Sequence, residues 1–96
     1  MIYEWDAEKA RTNRRKHGIS FDEAATVFLD PMAVTYPEPD HSVGEEREIT
    51  IGYSSKQQVL FVAHCPRGSR VRIISARKAT KGERKQHEEG IGRKIG

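Results

Sequence analysis

The chain has 96 residues, the size of one domain with one modest hydrophobic core. Its 17 basic and 14 acidic residues give a formal net charge of +3, an excess too small to indicate a polyanionic partner by itself. The single cysteine, Cys65, excludes an intramolecular disulfide. Because the chain shows neither a signal peptide nor a membrane span, we expect a cytoplasmic protein without membrane association.

The first thirty residues predict a short strand followed by two helices. Residues 2–5 are expected to form the strand, and Asp6 has the side chain of a helix N-cap. The helix should end near Lys16, because Gly18 can take the left-handed conformation that follows many helix C-termini. A capping box beginning at Ser20 starts the second helix, whose apolar side chains share one face and are expected to point into the core.

The middle of the chain predicts an antiparallel meander preceded by one further strand. The strands are expected at residues 32–36, 46–53, 58–65 and 70–78, with an acidic loop at 37–45. Turns centred on Ser55-Lys56 and Arg67-Gly68 would place Arg47 opposite His64. This register determines which side chains share a face of the sheet.

In the expected register, one face of the meander is an apolar wall and the other is mixed. The apolar wall consists of Ile49, Ile51, Leu60, Val62, Val71 and Ile73. The mixed face carries Glu48, Ala63 and Arg72 in a row. Such a face is either a shallow binding cleft or a surface closed by a Glu48–Arg72 ion pair.

Thr80 and Glu83 form a second capping box, which predicts a last helix to about Glu89. This helix has no large apolar residue, so polar contacts, a partner or both must hold it in place. Residues 91–96 are expected to form a flexible tail, which leaves 1–90 as a single domain. The predicted class is α+β: an antiparallel sheet with two N-terminal helices packed on it and a short C-terminal helix.

The polar residues argue against metal or covalent chemistry. The histidines and Cys65 lack the spacing of zinc ligands, and no nucleophile elbow, phosphate loop or dinucleotide fingerprint is present. We therefore expect no metal site and no cofactor. Basic residues are concentrated in two segments, 9–16 and 67–85, which either converge on one polyanion site or form ordinary solvated surface.

Metal-free RNA cleavage needs a base for the 2′-hydroxyl, cations for the phosphate and an acid for the leaving oxygen. Arginine matches phosphate oxygens with its planar fork, and histidine or a perturbed lysine can move protons. The candidate catalytic residues are Lys16, His17, Arg47, Arg72, Arg77 and His87. The candidate phosphate-binding residues are His64, Arg70, Lys78 and Arg84.

Several segments resemble the BrnT family of toxins. They are Tyr3-Glu4-Trp5-Asp6, Lys16-His17-Gly18-Ile19-Ser20-Phe21, Gly44-Glu45-Glu46-Arg47 and Arg72-Ile73-Ile74-Ser75-Ala76-Arg77-Lys78-Ala79-Thr80. The resemblance covers residues 2–89 and implies a RelE-like fold with endoribonuclease activity that cleaves mRNA and halts translation. It also implies neutralisation by a BrnA-type antitoxin in a 2:2 or higher-order complex, with operator DNA contacted only through the antitoxin.

Two residues depart from the family pattern. Gly82 stands where the family usually has a basic residue, and His87 stands where it often has tyrosine. The histidine could take over an acid/base role or mark a weakened enzyme. The alternative function is therefore a catalytically silent homologue that binds the antitoxin within a DNA-binding autorepressor complex. A gyrase-directed toxin is a more distant alternative.

Overall fold

The computed structural model describes residues 2–38 and 46–95, with side chains up to Glu89. Its elements are β1 (Ile2–Glu4), α1 (Ala7–His17), α2 (Phe21–Thr26), a 3₁₀ turn (Val27–Leu29), β2 (Val34–Pro37), β3 (Glu48–Tyr53), β4 (Val59–Arg67), β5 (Arg70–Lys78) and α3 (Lys81–Ile95). This order confirms the predicted α+β class. Beyond Glu38, the predicted acidic loop lies outside the described residues, as does Gly96. Within the described residues, every helix is too short or too polar to cross a membrane.

The five strands form one sheet in the order β1-β5-β4-β3-β2. Strands β2 to β5 are antiparallel neighbours, as expected for a meander, but β1 pairs with β5 in parallel. The sheet is therefore mixed, and the prediction of a purely antiparallel sheet is wrong at this edge. A parallel pair needs a long crossover connection, and here the helices and the first strands of the meander provide it.

The register of β3 against β4 is one residue away from the predicted one. Tyr53 pairs with Val59, so the turn is centred on Lys56 rather than on Ser55-Lys56. This turn contains Gln57 at a φ of 62°, a left-handed residue that the sequence did not indicate. As a result His64 lies opposite Glu48, and the predicted Arg47–His64 pair is wrong.

The second turn of the meander is displaced further, because the register that leaves it differs from the predicted one by two residues. Arg67 pairs with Arg70, which centres the turn on Gly68-Ser69, and Gly68 has a φ of 61°. The register of β4 against β5 then shifts once more at a bulge between Ala63 and His64. Because a one-residue slip moves every side chain to the other face of a strand, the predicted composition of both faces is wrong.

The hydrophobic residues form two clusters, one on each side of the sheet. The helix side contains Ile19, Phe21, Ala24, Val27, Leu60, Val62, Ile73 and Ala76. The opposite side contains Ile49, Ile51, Val59 and Ala63, with Phe61, Ile74 and Ala79 packed against them. The predicted apolar wall is thus divided between the two faces. The predicted row of Glu48, Ala63 and Arg72 does not form, since Arg72 pairs with Glu4 of β1 instead.

The N-terminal caps agree with the sequence prediction. Asp6 accepts hydrogen bonds from the N–H groups of Glu8 and Lys9, at 2.8 and 3.1 Å. Gly18 ends α1 at a φ of 70°. The Ser20 hydroxyl accepts from the Glu23 N–H at 3.0 Å, which begins α2.

The carboxylate of Glu23 is buried and does not complete the capping box. It accepts from the Ser54 hydroxyl at 2.6 Å and from the Gln58 amide at 2.8 Å. These two residues lie in the turn between β3 and β4. Glu23 therefore ties α2 to this turn and stabilises the position of the turn relative to the rest of the sheet.

Asn13 joins α1 to the part of β5 that extends beyond β1. Its side-chain amide donates to the carbonyls of Ala76 and Ile19 at 2.8 and 3.0 Å, and its carbonyl accepts from the Ala76 N–H at 3.0 Å. The side chain thus takes the place of a neighbouring strand along an edge that β1 is too short to cover.

The last helix begins at the predicted capping box. The Thr80 N–H donates to Glu83 at 2.9 Å, and the Glu83 N–H donates to the Thr80 hydroxyl at 3.1 Å. The predicted end near Glu89 is wrong, because α3 continues to Ile95. The flexibility of residues 91–96 stays a prediction.

Gly52 lies under the segment between α2 and β2 and leaves no room for a side chain. A β-carbon there would be 2.8 Å from the Cβ of Ala33 and 3.0 Å from Oδ2 of Asp30. We expect Gly52→Ala to lower the free energy of unfolding by about 1–3 kcal/mol, because backbone or neighbours must shift to relieve the overlap. Gly82→Ala is the control. Its β-carbon meets nothing within 4 Å, so it should raise stability by up to about 1 kcal/mol. Urea denaturation measures both, and equal effects would contradict the prediction.

Candidate functional site

An open cleft of about 630 Å³ lies between the β3–β4 turn and the first turns of α3. Its lining residues are Tyr53, Gln57, Gln58, Val59, Lys78, Ala79, Lys81, Arg84, Lys85 and Glu88. Four of them are cations and one is a carboxylate. Within the described part of the chain, none of these four cations forms a salt bridge. The cleft is thus a concentrated positive site, of the kind that attracts a polyanion.

Local structure explains why the cations gather there. Lys78 ends β5, and α3 begins only three residues later with Lys81. Positions three, four and seven residues further along a helix share a face with its first residue, so Arg84, Lys85 and Glu88 line the same side of α3. The cleft therefore combines one helix face with the end of the adjacent strand.

The other side of the first turn of α3 is held to the sheet by an ion pair. Both terminal nitrogens of Arg77 donate to the Glu83 carboxylate, at 2.8 and 2.9 Å, and the guanidinium lies 4.0 Å from the centre of the Phe61 ring. Hydrogen bonding to Arg77 lowers the pKa of Glu83, and the same bonds raise the pKa of Arg77. Arg77, which was predicted to be catalytic, therefore forms an ion pair within the protein, and this ion pair holds α3 against the sheet.

His87 lies one turn after Glu83, on the side of α3 that faces the sheet. Its side chain is 6% exposed, and its ring centroid is 6.4 Å from that of Tyr53, with the planes inclined at 56°. Among the described residues, its Nε2 atom has no hydrogen-bond partner. Tyr53, by contrast, is 37% exposed and lines the cleft. His87 thus packs against a cleft-lining tyrosine and has one buried ring nitrogen without a partner among the described residues.

The remaining predicted residues lie elsewhere. Arg70 and Arg72 are at the start of β5, at 3.7 and 3.3 Å from the carboxylate of Glu4. Lys16 and His17 line a separate groove of about 340 Å³ between α1 and β5. Arg47 precedes β3. The structure therefore brings together Lys78, Arg84 and His87 but does not gather the predicted set at one point.

His64 is buried on the helix side of the sheet. It is 3% exposed, its Nε2 atom is 2.7 Å from the Thr50 hydroxyl, and Phe28 packs edge-on against its ring at 4.9 Å. Burial lowers the pKa of His64 to about 4. A neutral ring in the core does not fit the prediction that His64 binds phosphate, and His64 is not included in the site proposed below.

The burial of His64 predicts a loss of stability in mild acid. Since the pKa is lowered in the folded state, the unfolded chain binds the extra proton first, and stability falls as the pH drops from 6.5 toward about 4. The expected loss is about 1 kcal/mol for each pH unit in this window. His64→Gln should remove this pH-dependent loss of stability, whereas His17→Gln, which changes an exposed side chain, should retain it. Urea denaturation near pH 7 and again about two pH units lower tests this, and identical pH dependence in wild type and His64→Gln would contradict it.

The prediction missed the aromatic residue of the lining, Tyr53, and two of its four cations, Lys81 and Lys85. A usable signal existed for the lysines, because Lys81, Arg84 and Lys85 have the spacing of one helix face. Tyr53 carried no such signal. Its position beside α3 depends on the centre of the β3–β4 turn and on the path of the chain after β5.

The comparisons with known proteins agree with the resemblance seen in the sequence. Residues 5–83 match the family described as the ribonuclease toxin BrnT of type II toxin–antitoxin systems. The chain belongs to this family. The crystal structure of the Brucella abortus ribonuclease toxin BrnT superposes on it with a TM-score of 0.66 at 26% sequence identity, covering 84% of this chain and 100% of that one. No curated protein sequence matches significantly.

The family match bears on the partner of this chain and on how much of the cleft the family shares. A toxin of a type II toxin–antitoxin system has an antitoxin partner. The family match also ends at Glu83. The cleft's strand side and the first residues of α3 lie within the match, whereas Arg84, Lys85 and His87 lie beyond it.

Proposed function

We propose that this BrnT-family toxin is a metal-independent endoribonuclease that cleaves mRNA and thereby inhibits translation in the cytoplasm. The observation that carries the proposal is the cleft beside α3. It presents four cations that have no salt-bridge partner among the described residues, in a chain that belongs to a ribonuclease toxin family. On this proposal the fold is RelE-like and the cleft holds the scissile phosphate.

Cleavage in the cleft would proceed by attack of the ribose 2′-hydroxyl on the adjacent phosphorus. The hydroxyl gives its proton to a base, the bond to the 5′-oxygen breaks, and that oxygen takes a proton from an acid, which leaves a 2′,3′-cyclic phosphate. Lys78 and Arg84 would stabilise the charge that develops on the phosphate. Among the described histidines, His87 is the one that packs against the cleft-lining Tyr53, and it is the candidate proton carrier.

We also propose that a BrnA-type antitoxin neutralises the toxin in a 2:2 or higher-order complex, and that operator DNA is contacted only through the antitoxin. Two features of the surface support a partner of this kind. Lys16 and His17 line the groove between α1 and β5, and Arg70 and Arg72 form a basic edge beside β1. Both positions are separate from the cleft, so an antitoxin can use them in addition to covering the substrate site.

Purified toxin, free of antitoxin, tests the nuclease directly. We expect it to cut single-stranded RNA in the presence of EDTA and to leave products with 2′,3′-cyclic phosphate ends. His87→Gln should slow the reaction, and His17→Gln, in the α1 groove, is the matched control. Intact RNA with a protein that is folded by circular dichroism would contradict the proposal. That result would favour a catalytically silent module that only binds its antitoxin.

A further inference from the structure

The cleft contains an aromatic ring as well as cations. Tyr53 ends β3, and its ring is partly exposed where it borders the cleft. The Tyr53 N–H donates to Oδ2 of Asp30 at 2.8 Å, which holds the backbone at this point. The buried His87 ring packs against the tyrosine from α3. The ring is therefore held in place from behind while remaining open toward the cleft.

We propose that Tyr53 is a base-stacking residue, and that it makes the cleft selective for single-stranded RNA. The proposal rests on the proposed nuclease function and adds a residue that contacts the substrate. Aromatic side chains in single-strand binding sites stack on nucleobases, while neighbouring cations bind the backbone. The four cleft cations and Tyr53 provide this combination within one cavity of about 630 Å³.

A duplex cannot use such a site in the same way. Bases in an A-form helix are stacked on one another and paired, so they are not free to pack on a protein ring. A duplex would contact only the cations of the cleft through its phosphates. Selectivity for single strands thus depends on Tyr53, whereas the salt-dependent part of the affinity depends on Lys78, Lys81, Arg84 and Lys85.

Equilibrium binding of a non-cleavable probe tests the proposal. The probe is a short 2′-O-methyl RNA single strand with a fluorescent end label, titrated with the intact toxin. We expect Tyr53→Leu to weaken binding about 5- to 150-fold, the range for loss of one stacked base. Tyr53→Phe keeps the ring and should bind within about twofold of wild type.

Two further probes separate stacking from charge. An abasic strand of equal length has the same phosphates but no bases, and Tyr53→Leu should bind it as wild type does. Wild type should bind the duplex of the same sequence more weakly than the single strand. Tyr53→Leu should leave the affinity for the duplex unchanged. Circular dichroism and thermal unfolding of each variant establish that the fold is intact.

The outcomes distinguish this proposal from the nuclease proposal. Two results would overturn base stacking by Tyr53 even if the toxin cuts RNA. One is that Tyr53→Leu binds the single strand within about twofold of wild type, and the other is that the substitution lowers the affinity for the abasic strand as much as it lowers the affinity for the normal strand. Failure of wild type to bind the single strand also overturns it. If binding depends on the Tyr53 ring as expected but RNA stays intact in EDTA, the result supports the stacking site and contradicts metal-independent cleavage.

Discussion

Replacing Arg84 by glutamate is expected to lower kcat/KM for RNA cleavage about 100-fold. Arg84 lines the cleft, is exposed and forms no side-chain hydrogen bond or salt bridge within the described residues. Its charge is therefore free to bind phosphate. A charge-assisted hydrogen bond contributes about 1.5–3 kcal/mol, and the reversed charge would additionally repel the RNA backbone.

The stability of the Arg84→Glu variant should stay close to that of wild type. The position lies in the first turns of α3, where an acidic side chain interacts favourably with the helix dipole. Loss of activity would therefore report on the cleft rather than on unfolding. Denaturant unfolding and cleavage kinetics on the same preparation measure the two effects separately.

Arg15→Glu is the matched control for this experiment. Arg15 is exposed on α1 and does not line the cleft, and its replacement changes the net charge by the same amount. We expect only a small decrease in cleavage, from the weaker long-range attraction of RNA. Equal losses in the two variants would show that general charge, rather than the cleft, determines activity, and an unchanged rate in Arg84→Glu would contradict the assignment of the site.

The second large effect is expected from Asn13→Leu, which should lower the free energy of unfolding by about 3–5 kcal/mol. The substitution removes three hydrogen bonds and leaves the N–H and the carbonyl of Ala76 and the carbonyl of Ile19 without their partner. Each unsatisfied buried group costs about 1–3 kcal/mol. This loss is a large part of the 5–15 kcal/mol that is typical of a whole domain.

Thr12→Ala provides the comparison for Asn13→Leu. Thr12 is the preceding residue on α1 and is exposed, so its replacement should change stability by no more than about 0.5 kcal/mol. Urea denaturation followed by circular dichroism measures both variants. A loss below about 1 kcal/mol for Asn13→Leu would show that water or a neighbouring group replaces the missing bonds.

The sequence by itself determined the features that depend on near neighbours. The N-caps at Asp6, Ser20 and Thr80 and the left-handed Gly18 each involve groups within about one helical turn, and all four agree with the structure, although Glu23 does not complete the predicted capping box at Ser20. The order of the elements follows from these signals and from the alternation of turns and strands. Family membership was also visible in the sequence, because its motifs are contiguous segments.

Only the tertiary structure decided the register, the parallel edge and the composition of the site. The register of β3 on β4 depends on Gln57 adopting a positive φ, and the position of β1 depends on contacts across most of the chain. A shift of one residue was enough to bury His64 and to leave Arg47 without the predicted partner. The cleft likewise forms because α3 folds back beside Tyr53. Such contacts join residues far apart in sequence, where local propensity gives no information and long-range packing determines the result.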